Sequence, residues 1–185
     1  MSQEELEQYI DAYGRELYSF CCSVTRNRQE AEDLYQDTFL KLYEIREKLS
    51  IERNPKSCLM GISVNLYRNY KRKLAIRQRI AGASVSVEEL AEDIPADGWL
   101  TEEEVIAREE RLRVRGAVRR LPDKYRLPVL LCYMEELSVA EIAAVLRLPE
   151  GTVKSRLHRA KKLLRQALLE QEHLNREHLR QESEA

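Results

Sequence analysis

The residues best suited to chemistry form a basic segment near the C-terminal end, from Lys154 to Arg165. Lysine and arginine bind phosphate oxygens, and short polar side chains among them reach base edges in the major groove. A surface that only had to be soluble would mix acidic and basic residues, but this segment has no Asp or Glu. It therefore indicates DNA binding rather than covalent chemistry. Its basic residues are Lys154, Arg156, Arg159, Lys161, Lys162 and Arg165.

The sequence offers no recognisable set of catalytic or metal-binding residues. It has no nucleophile paired with a base, no catalytic pair of carboxylates and no phosphate-binding glycine motif. The cysteines lack CxxC or Cys/His ligand spacing, so we expect reduced and mostly buried thiols. We predict a protein that is not an enzyme, with no catalytic residue, metal or cofactor. The histidines are His158, His173 and His178, and the cysteines are Cys21, Cys22, Cys58 and Cys132.

The basic segment belongs to the second of two predicted helices that are joined by a tight turn. Ser138 and Glu141 have the spacing of a capping box, which predicts the start of the first helix. The second helix is expected to begin near Thr152. This arrangement predicts a helix-turn-helix, with a solvated amphipathic helix as the alternative. The predicted buried residues are Val139, Ile142, Ala143 and Leu146 in the first helix and Val153, Leu157, Ala160 and Leu164 in the second.

A predicted helix over residues 28–48 has an outer face that mixes acidic and apolar side chains. Such a face indicates a protein partner, although singly exposed apolar residues are also common on ordinary surfaces. Both interpretations stay open from the residues alone. The buried stripe is predicted to be Ala31, Leu34, Thr38, Leu42 and Ile45, and the outer face Asp33, Gln36, Asp37, Phe39, Leu40 and Tyr43.

Charge is segregated along the chain although the net charge is only −1. Residues 66–80 are basic without any acid, and residues 82–110 are acidic with Arg108 as their one cation. The periodicity predicts an all-α fold. Two small helical domains, 1–81 and 102–171, are joined by an acidic flexible linker, 82–101, and followed by a tail, 172–185. Helices are expected over residues 3–24, 28–48, 54–80, 102–121, 124–134, 139–146 and 152–171.

Three blocks of the sequence occur in a characteristic order around the acidic connector. They are AEDLYQDTFLKLY, SCLMGISVNLYRNYKRK and LPDKYRLPVLLCYMEELSVAEIAAVLRLPEGTVKSRLHRAKKLLRQAL. In the order, spacing and residue sequence of these blocks, the chain resembles the extracytoplasmic-function (ECF) sigma factors of the sigma-70 family over roughly residues 16–168. The resemblance implies a promoter-specificity subunit that binds core RNA polymerase and contacts the −10 and −35 promoter elements.

The resemblance also implies roles for individual residues. It assigns the loop 49–55 to a base flipped out of the opening duplex. Two positions depart from the family pattern, because Cys58 stands where Trp is usual and Asn69 where Asp is usual. The implied polymerase-binding residues are Asp33, Gln36, Asp37, Leu40 and Tyr43. Those for the −10 element are Asn65, Arg68, Asn69, Tyr70, Lys71 and Arg72, and those for the −35 element are Lys154, Ser155, Arg156, His158, Arg159 and Lys162.

The implied partners are the clamp helices of the largest catalytic subunit of core RNA polymerase, other parts of that enzyme, promoter DNA and an anti-sigma factor. No small-molecule substrate is expected. The sequence has no apolar run of membrane-spanning length and no signal-peptide pattern, so we expect a cytoplasmic protein. Sequestration at the membrane by an anti-sigma factor stays open. A stand-alone helix-turn-helix regulator is the first alternative function, and an adaptor that does not read DNA is the second.

Overall fold

The computed structural model describes residues 3–46, 54–81 and 102–183, and every regular element among them is a helix. In chain order these are α1 (Gln3–Thr25), α2 (Arg28–Ile45), α3 (Pro55–Ala81), α4 (Glu102–Arg120), α5 (Asp123–Tyr133), α6 (Val139–Leu146) and α7 (Glu150–Ser183). The prediction of an all-α fold is confirmed. The loop 49–55, apart from its last two residues, and the linker 82–101 lie outside the described residues.

The predicted helix limits agree with the structure to within one residue except at α2 and α7. Helix α2 ends at Ile45, with Arg46 as its C-cap, instead of at residue 48. Helix α7 begins at Glu150 instead of Thr152 and continues to Ser183 instead of ending near residue 171. Glu150 places an acidic side chain in the first turn, where the positive end of the helix dipole stabilises it. None of the helices in the described ranges is both long and apolar enough to cross a membrane.

The chain divides into two compact units. The first comprises Met1–Glu92 together with Leu130–Glu150, and the second comprises Asp93–Val129 together with Gly151–Ala185. This grouping differs from the sequence-based domains because α6 packs against α3. The domain limits 1–81, 82–101, 102–171 and 172–185 stay predictions.

Helices α1, α2 and α3 pack against one another to form the core of the first unit. Asn27 caps α2 by accepting a hydrogen bond from the Glu30 amide at 3.0 Å. Asn54 accepts from the Ser57 amide at 3.0 Å, and Pro55 occupies the first position of α3, where its missing N–H is tolerated. These caps fix where α2 and α3 begin. The buried apolar core includes Leu17, Phe20, Cys21 and Val24 of α1, Ala31, Leu34, Phe39 and Leu42 of α2, and Leu59, Met60, Val64 and Tyr67 of α3.

The buried arc of α2 is wider than the predicted stripe. Phe39 was placed on the outer face, but it is only 7% exposed and its ring packs edge-on against Tyr35 at 5.2 Å. The reason is that α2 contacts both α1 and α3, so two sides of the helix face protein. Ile45 was expected in the core, but it is only half-buried near the helix end.

Two further predictions about burial need correction. In α6 the buried residues are Ile142, Ala143, Val145 and Leu146, while Val139 in the first turn is half-buried. Val145 is covered because α3 packs on this side of α6. Of the cysteines only Cys21 is fully buried; its sulfur lies 3.7 Å from Ser63 Oγ, and Cys22, Cys58 and Cys132 are half-buried.

The second unit contains α4, residues 123–129 of α5, and α7 from Gly151 onward. Arg126 is 1% exposed and its guanidinium donates to Asp123 at 2.6 Å. This ion pair joins a buried cation to the first turn of its own helix. The buried apolar residues of this unit are Ala117, Leu121, Leu127, Val129, Val153, Leu157 and Ala160.

Candidate DNA and polymerase interfaces

The predicted capping box of α6 is present in the structure. The Glu141 amide donates to Ser138 Oγ at 3.3 Å, and the Ser138 amide donates to Glu141 Oε2 at 2.8 Å. The Ser138 hydroxyl also donates to Glu141 Oε2, at 2.7 Å. The bonds from the Ser138 hydroxyl and amide to this carboxylate lower the pKa of Glu141. Arg147 ends the helix in the left-handed conformation with φ 54°, and α7 begins three residues later at Glu150. The local sequence therefore forms the two helices and short turn of the predicted motif.

The basic side chains of α7 lie on its exposed face. Lys154, Ser155, His158, Arg159 and Lys162 are all exposed, and Arg156 is half-buried. Val153, Leu157 and Ala160 are buried, whereas Leu164 is half-buried instead of buried as predicted. The Ser155 hydroxyl donates to the Thr152 carbonyl at 2.9 Å. A helix with this division of surfaces presents several cations to the same side, as binding to a DNA groove requires.

The outer face of α2 presents the five predicted polymerase-binding side chains. Leu40 is 62% exposed and Tyr43 is 43% exposed. Asp33, Gln36 and Asp37 are exposed as well, and Gln29 donates to Asp33 Oδ1 at 3.3 Å. The Arg46 guanidinium lies 3.9 Å from the centre of the Tyr43 ring, which holds that ring in place by a cation–π contact. This exposed face combines apolar area with carboxylates and suits a protein partner that has a basic surface.

The predicted −10 residues on α3 differ in how far they are exposed to solvent. Asn69, Tyr70, Lys71 and Arg72 are exposed, whereas Asn65 and Arg68 are half-buried. Arg72 donates to Asn69 Oδ1 at 3.3 Å, and the Tyr70 hydroxyl donates to Glu30 Oε1 at 3.0 Å. Burial raises the pKa of Tyr70, and its hydrogen bond to the Glu30 carboxylate raises it further.

Arg68 points toward α6. Its Nη1 donates to the carbonyl oxygen of Leu146, the last residue of that helix, at 2.9 Å. A cation is stabilised there because the C-terminal end of a helix carries a partial negative charge. Cys58, which stands where the family pattern has Trp, is half-buried in the first turns of the same helix α3.

Sequence reasoning missed a cluster of ionisable residues in the first unit. Lys56 Nζ lies 2.9 Å from Glu16 Oε2 and 3.4 Å from Glu135 Oε2. Glu135 is 2% exposed, and burial raises its pKa although the Lys56 charge and hydrogen bond lower it. Burial lowers the pKa of Lys56, but the hydrogen bond to Glu16 and the charges of Glu135 and Glu16 together raise it above its ordinary value. No sequence pattern joins residues this distant in the chain.

Within the described ranges, no group of three or more His, Cys, Asp or Glu residues is arranged to hold a metal ion. Burial raises the pKa of the Cys21 thiol to about 12, which makes this thiol a poor nucleophile at neutral pH.

Comparison with known proteins gives matches in both parts of the chain. The sequence matches the family models Sigma-70 region 2 over residues 9–77 and Sigma-70, region 4 over residues 111–164. It is 33% identical over 170 residues to the ECF RNA polymerase sigma factor SigW of Bacillus subtilis, with 90% of each chain covered. It is 30% identical over 171 residues to the ECF sigma factor SigE of Mycolicibacterium smegmatis, covering 88% of this chain and 61% of that protein.

A solved structure shares the fold. The sigma factor RpoE from Bartonella quintana, co-crystallised with the anti-sigma factor NepR, superimposes with a TM-score of 0.72 at 26% identity. The alignment covers 89% of this chain and 97% of that one. Regions 2 and 4 in this order, in a chain whose described elements are all helices, define a promoter-recognising transcription factor of the sigma-70 class. Within that class, the chain belongs to the ECF sigma factors.

Proposed function

We propose that this chain binds core RNA polymerase through the outer face of α2 and promoter DNA through α3 and α7. The observation that carries the proposal is that two exposed faces differ in their chemistry. The outer face of α2 carries carboxylates beside the exposed Leu40 and Tyr43, whereas the exposed face of α7 is basic. An acidic and apolar surface suits a protein partner, and a basic one suits the phosphate backbone.

The −35 element is assigned to α7 and the −10 element to α3. On α7, Lys154, Ser155 and Arg156 lie in the first turns of the helix, where side chains of a recognition helix reach base edges. Arg159 and Lys162 lie further along and suit phosphate contacts. On α3 the residues assigned to the −10 element are Asn65, Arg68, Asn69, Tyr70, Lys71 and Arg72.

The chain is proposed to act in the bacterial cytoplasm without catalysis of its own, since any polymerisation belongs to the polymerase. An anti-sigma factor is a further proposed partner. This proposal is supported by the RpoE structure with NepR, whose fold is similar to that of this chain. Sequestration at the membrane would follow if that partner were membrane-bound.

Run-off transcription tests the function directly. Purified core RNA polymerase is incubated with fragmented bacterial genomic DNA, with and without this protein, and the 5′ ends of the transcripts are mapped. We expect new starts that share two upstream motifs. If no new starts appear and the protein also fails to bind core polymerase, a stand-alone helix-turn-helix regulator becomes the better hypothesis.

The polymerase interface is tested by Asp33→Ala combined with Gln36→Ala. The control is Gln8→Ala combined with Asp11→Ala, which removes the same two residue types, three positions apart, from the exposed surface of α1. Affinity for core polymerase should fall for the first pair and stay unchanged for the second. If both double variants bind core polymerase with equal affinity, the outer face of α2 is not part of the interface.

The −35 assignment is tested by Lys154→Ala and Arg159→Ala on a mapped promoter. If the side chain reads a base, its replacement should weaken binding to that promoter by about 1–3 kcal/mol and relax specificity at one position. If it contacts a phosphate, its replacement should weaken binding to all sequences and reduce the slope of log affinity against log salt by about 1. Arg115→Ala on the exposed surface of α4 is the control. Initiation that neither substitution affects would contradict the assignment.

A further inference from the structure

Tyr70 connects the two helices of the first unit that the proposed function assigns to different partners. It lies on α3, and its hydroxyl donates a hydrogen bond to Glu30 Oε1 at 3.0 Å. Glu30 lies in the first turn of α2, three residues before Asp33 of the proposed polymerase interface. The bonded residues are 40 positions apart in the chain. This hydrogen bond is therefore a tertiary contact between α2 and α3.

The hydrogen bond engages the hydroxyl of Tyr70 and leaves ring surface open to solvent. Tyr70 is 42% exposed, whereas Glu30 is half-buried. A phenol has one proton, so a hydroxyl that donates to Glu30 has none left to donate to a phosphate. Burial and the bond to the Glu30 carboxylate raise the pKa of Tyr70, and the phenol keeps this proton at neutral pH.

The charges near the Tyr70 hydroxyl also favour a base over the DNA backbone. Among the described residues, the charges that act on this hydroxyl are those of Glu30, Asp33 and Arg77. Two of them are carboxylates and one is a cation, so together they repel a phosphate that approaches the hydroxyl. The ring face carries no net charge, and an unpaired base can stack on it. Tyr70 in this setting suits a base of single-stranded DNA better than a phosphate.

We propose that Glu30 is a positioning residue, which holds the Tyr70 ring ready to stack on an unpaired base of the −10 element. An exposed tyrosine side chain otherwise samples several rotamers, and one hydrogen bond favours a single rotamer by about three- to tenfold. The stacking orientation is then populated before DNA arrives, so less side-chain entropy is lost on binding. The proposal rests on the assignment of α3 to the −10 element.

A set of variants separates positioning from general structural support. Glu30→Ala removes the acceptor, and Tyr70→Phe removes the donor but keeps the ring. Glu30→Gln keeps a side-chain oxygen that accepts the bond and removes the charge, so it controls for the acid in the first turn of α2. The double variant with Glu30→Ala and Tyr70→Phe shows whether both residues act through the same bond. Tyr133→Phe is the matched control, because Tyr133 is 56% exposed and lies on α5.

The assay follows promoter opening by the full chain bound to core polymerase. Permanganate reactivity of unpaired thymines reports opening of a mapped promoter, and the measurement is repeated with one abasic site at successive positions of the non-template −10 strand. We expect about three- to tenfold less open complex for Glu30→Ala and for Tyr70→Phe, with no further loss in the double variant. Glu30→Gln and Tyr133→Phe should stay within about twofold of the unmodified protein. At one abasic position all variants should open the promoter equally, because the base that stacks on the ring is missing there.

The proposal is overturned if the losses of the two single variants multiply in the double variant, or if they persist at every abasic position. It is also overturned if Glu30→Gln opens the promoter as poorly as Glu30→Ala, since the charge and not the hydrogen bond would then matter. Affinity for core polymerase is measured in parallel. A fall in this affinity for Glu30→Ala contradicts the proposal as well, because Glu30 would then act through α2. If the unmodified protein opens no promoter with core polymerase, the proposed sigma-factor function fails, and this inference fails with it.

Discussion

Lys56→Met is the most informative substitution for stability, because Lys56 is the cation next to the buried carboxyl of Glu135. The Glu135 side chain is 1% exposed and the Lys56 side chain 22% exposed, so their ion pair is largely withdrawn from water. Removing one partner of a buried pair costs about 3–5 kcal/mol, since the other charge remains buried without compensation. Lys56 keeps some contact with solvent, so we expect a loss of about 2–4 kcal/mol in the free energy of unfolding.

The companion variant separates the ion pair from simple packing. Glu135→Gln combined with Lys56→Met removes both charges, and replacing both members of a buried pair is close to neutral. The double variant should therefore be more stable than Lys56→Met alone by at least about 1 kcal/mol. Lys41→Met is the matched control, because its pair with Glu44 at 2.8 Å is exposed on α2 and is expected to contribute less than about 0.5 kcal/mol.

The effect should also depend on pH in a predictable direction. Burial raises the pKa of Glu135 above its ordinary value of 4.5, so the folded protein holds this proton more tightly than the unfolded chain. The stability contributed by that proton is lost as the pH rises from 4.5 through the folded pKa. Without the Lys56 charge the pKa rises further. The penalty of Lys56→Met should therefore be greatest at neutral pH and shrink as the pH falls toward 4.5.

Urea denaturation followed by circular dichroism measures these differences for all four proteins at pH 7 and pH 5. A loss below about 0.5 kcal/mol for Lys56→Met would refute the claim that the pair is buried and coupled. A double variant no more stable than the single one would show that the charges of Lys56 and Glu135 are not coupled.

Three further predictions concern individual side chains. Ser138→Ala removes the hydroxyl of the capping box and should lower the free energy of unfolding by about 1 kcal/mol. Urea titration measures this change, and an unchanged midpoint of unfolding would mean that α6 does not depend on its cap. At Gly61 an added Cβ would already lie 3.9 Å from Val145 Cγ2, so the rest of a Leu side chain would crowd α6 and Gly61→Leu should cost about 1–3 kcal/mol. Gly116→Leu, where an added Cβ meets nothing within 4 Å, should be neutral or stabilising, and similar losses at both glycines would contradict the packing of α6 over Gly61. Cys21, with its pKa raised to about 12, should react with maleimide at pH 7 far more slowly than the half-buried Cys132, and comparable rates in time-resolved mass spectrometry would mean that Cys21 is accessible.

The basic face of α7 and the outer face of α2 could largely be predicted because both depend on local periodicity. A helix turns by about 100° per residue, so the spacing of apolar positions alone separates Val153, Leu157 and Ala160 from Lys154 and Arg159. The capping box of α6 is local for the same reason, since its two residues are three positions apart. The family resemblance rests on equally local blocks, and the matches to regions 2 and 4 confirm it.

Burial that depends on two neighbouring helices could not be predicted in this way. Phe39 lies outside the apolar stripe of α2, yet it is buried because α1 and α3 approach the helix from different sides. Val145 is buried because α3 lies against its side of α6. A single-helix pattern contains no information about how many sides of that helix are covered.

The sequence by itself determined the order of the helices, the basic face of α7 and the family, because each of these follows from residues within a few turns of one another. Only the tertiary structure decided which polar side chains meet. Asn54 and Glu141 are 87 positions apart, and Arg68 and Leu146 are 78 apart. Their contacts arise from the packing of α6 on α3, and no local spacing encodes a pairing between such distant segments.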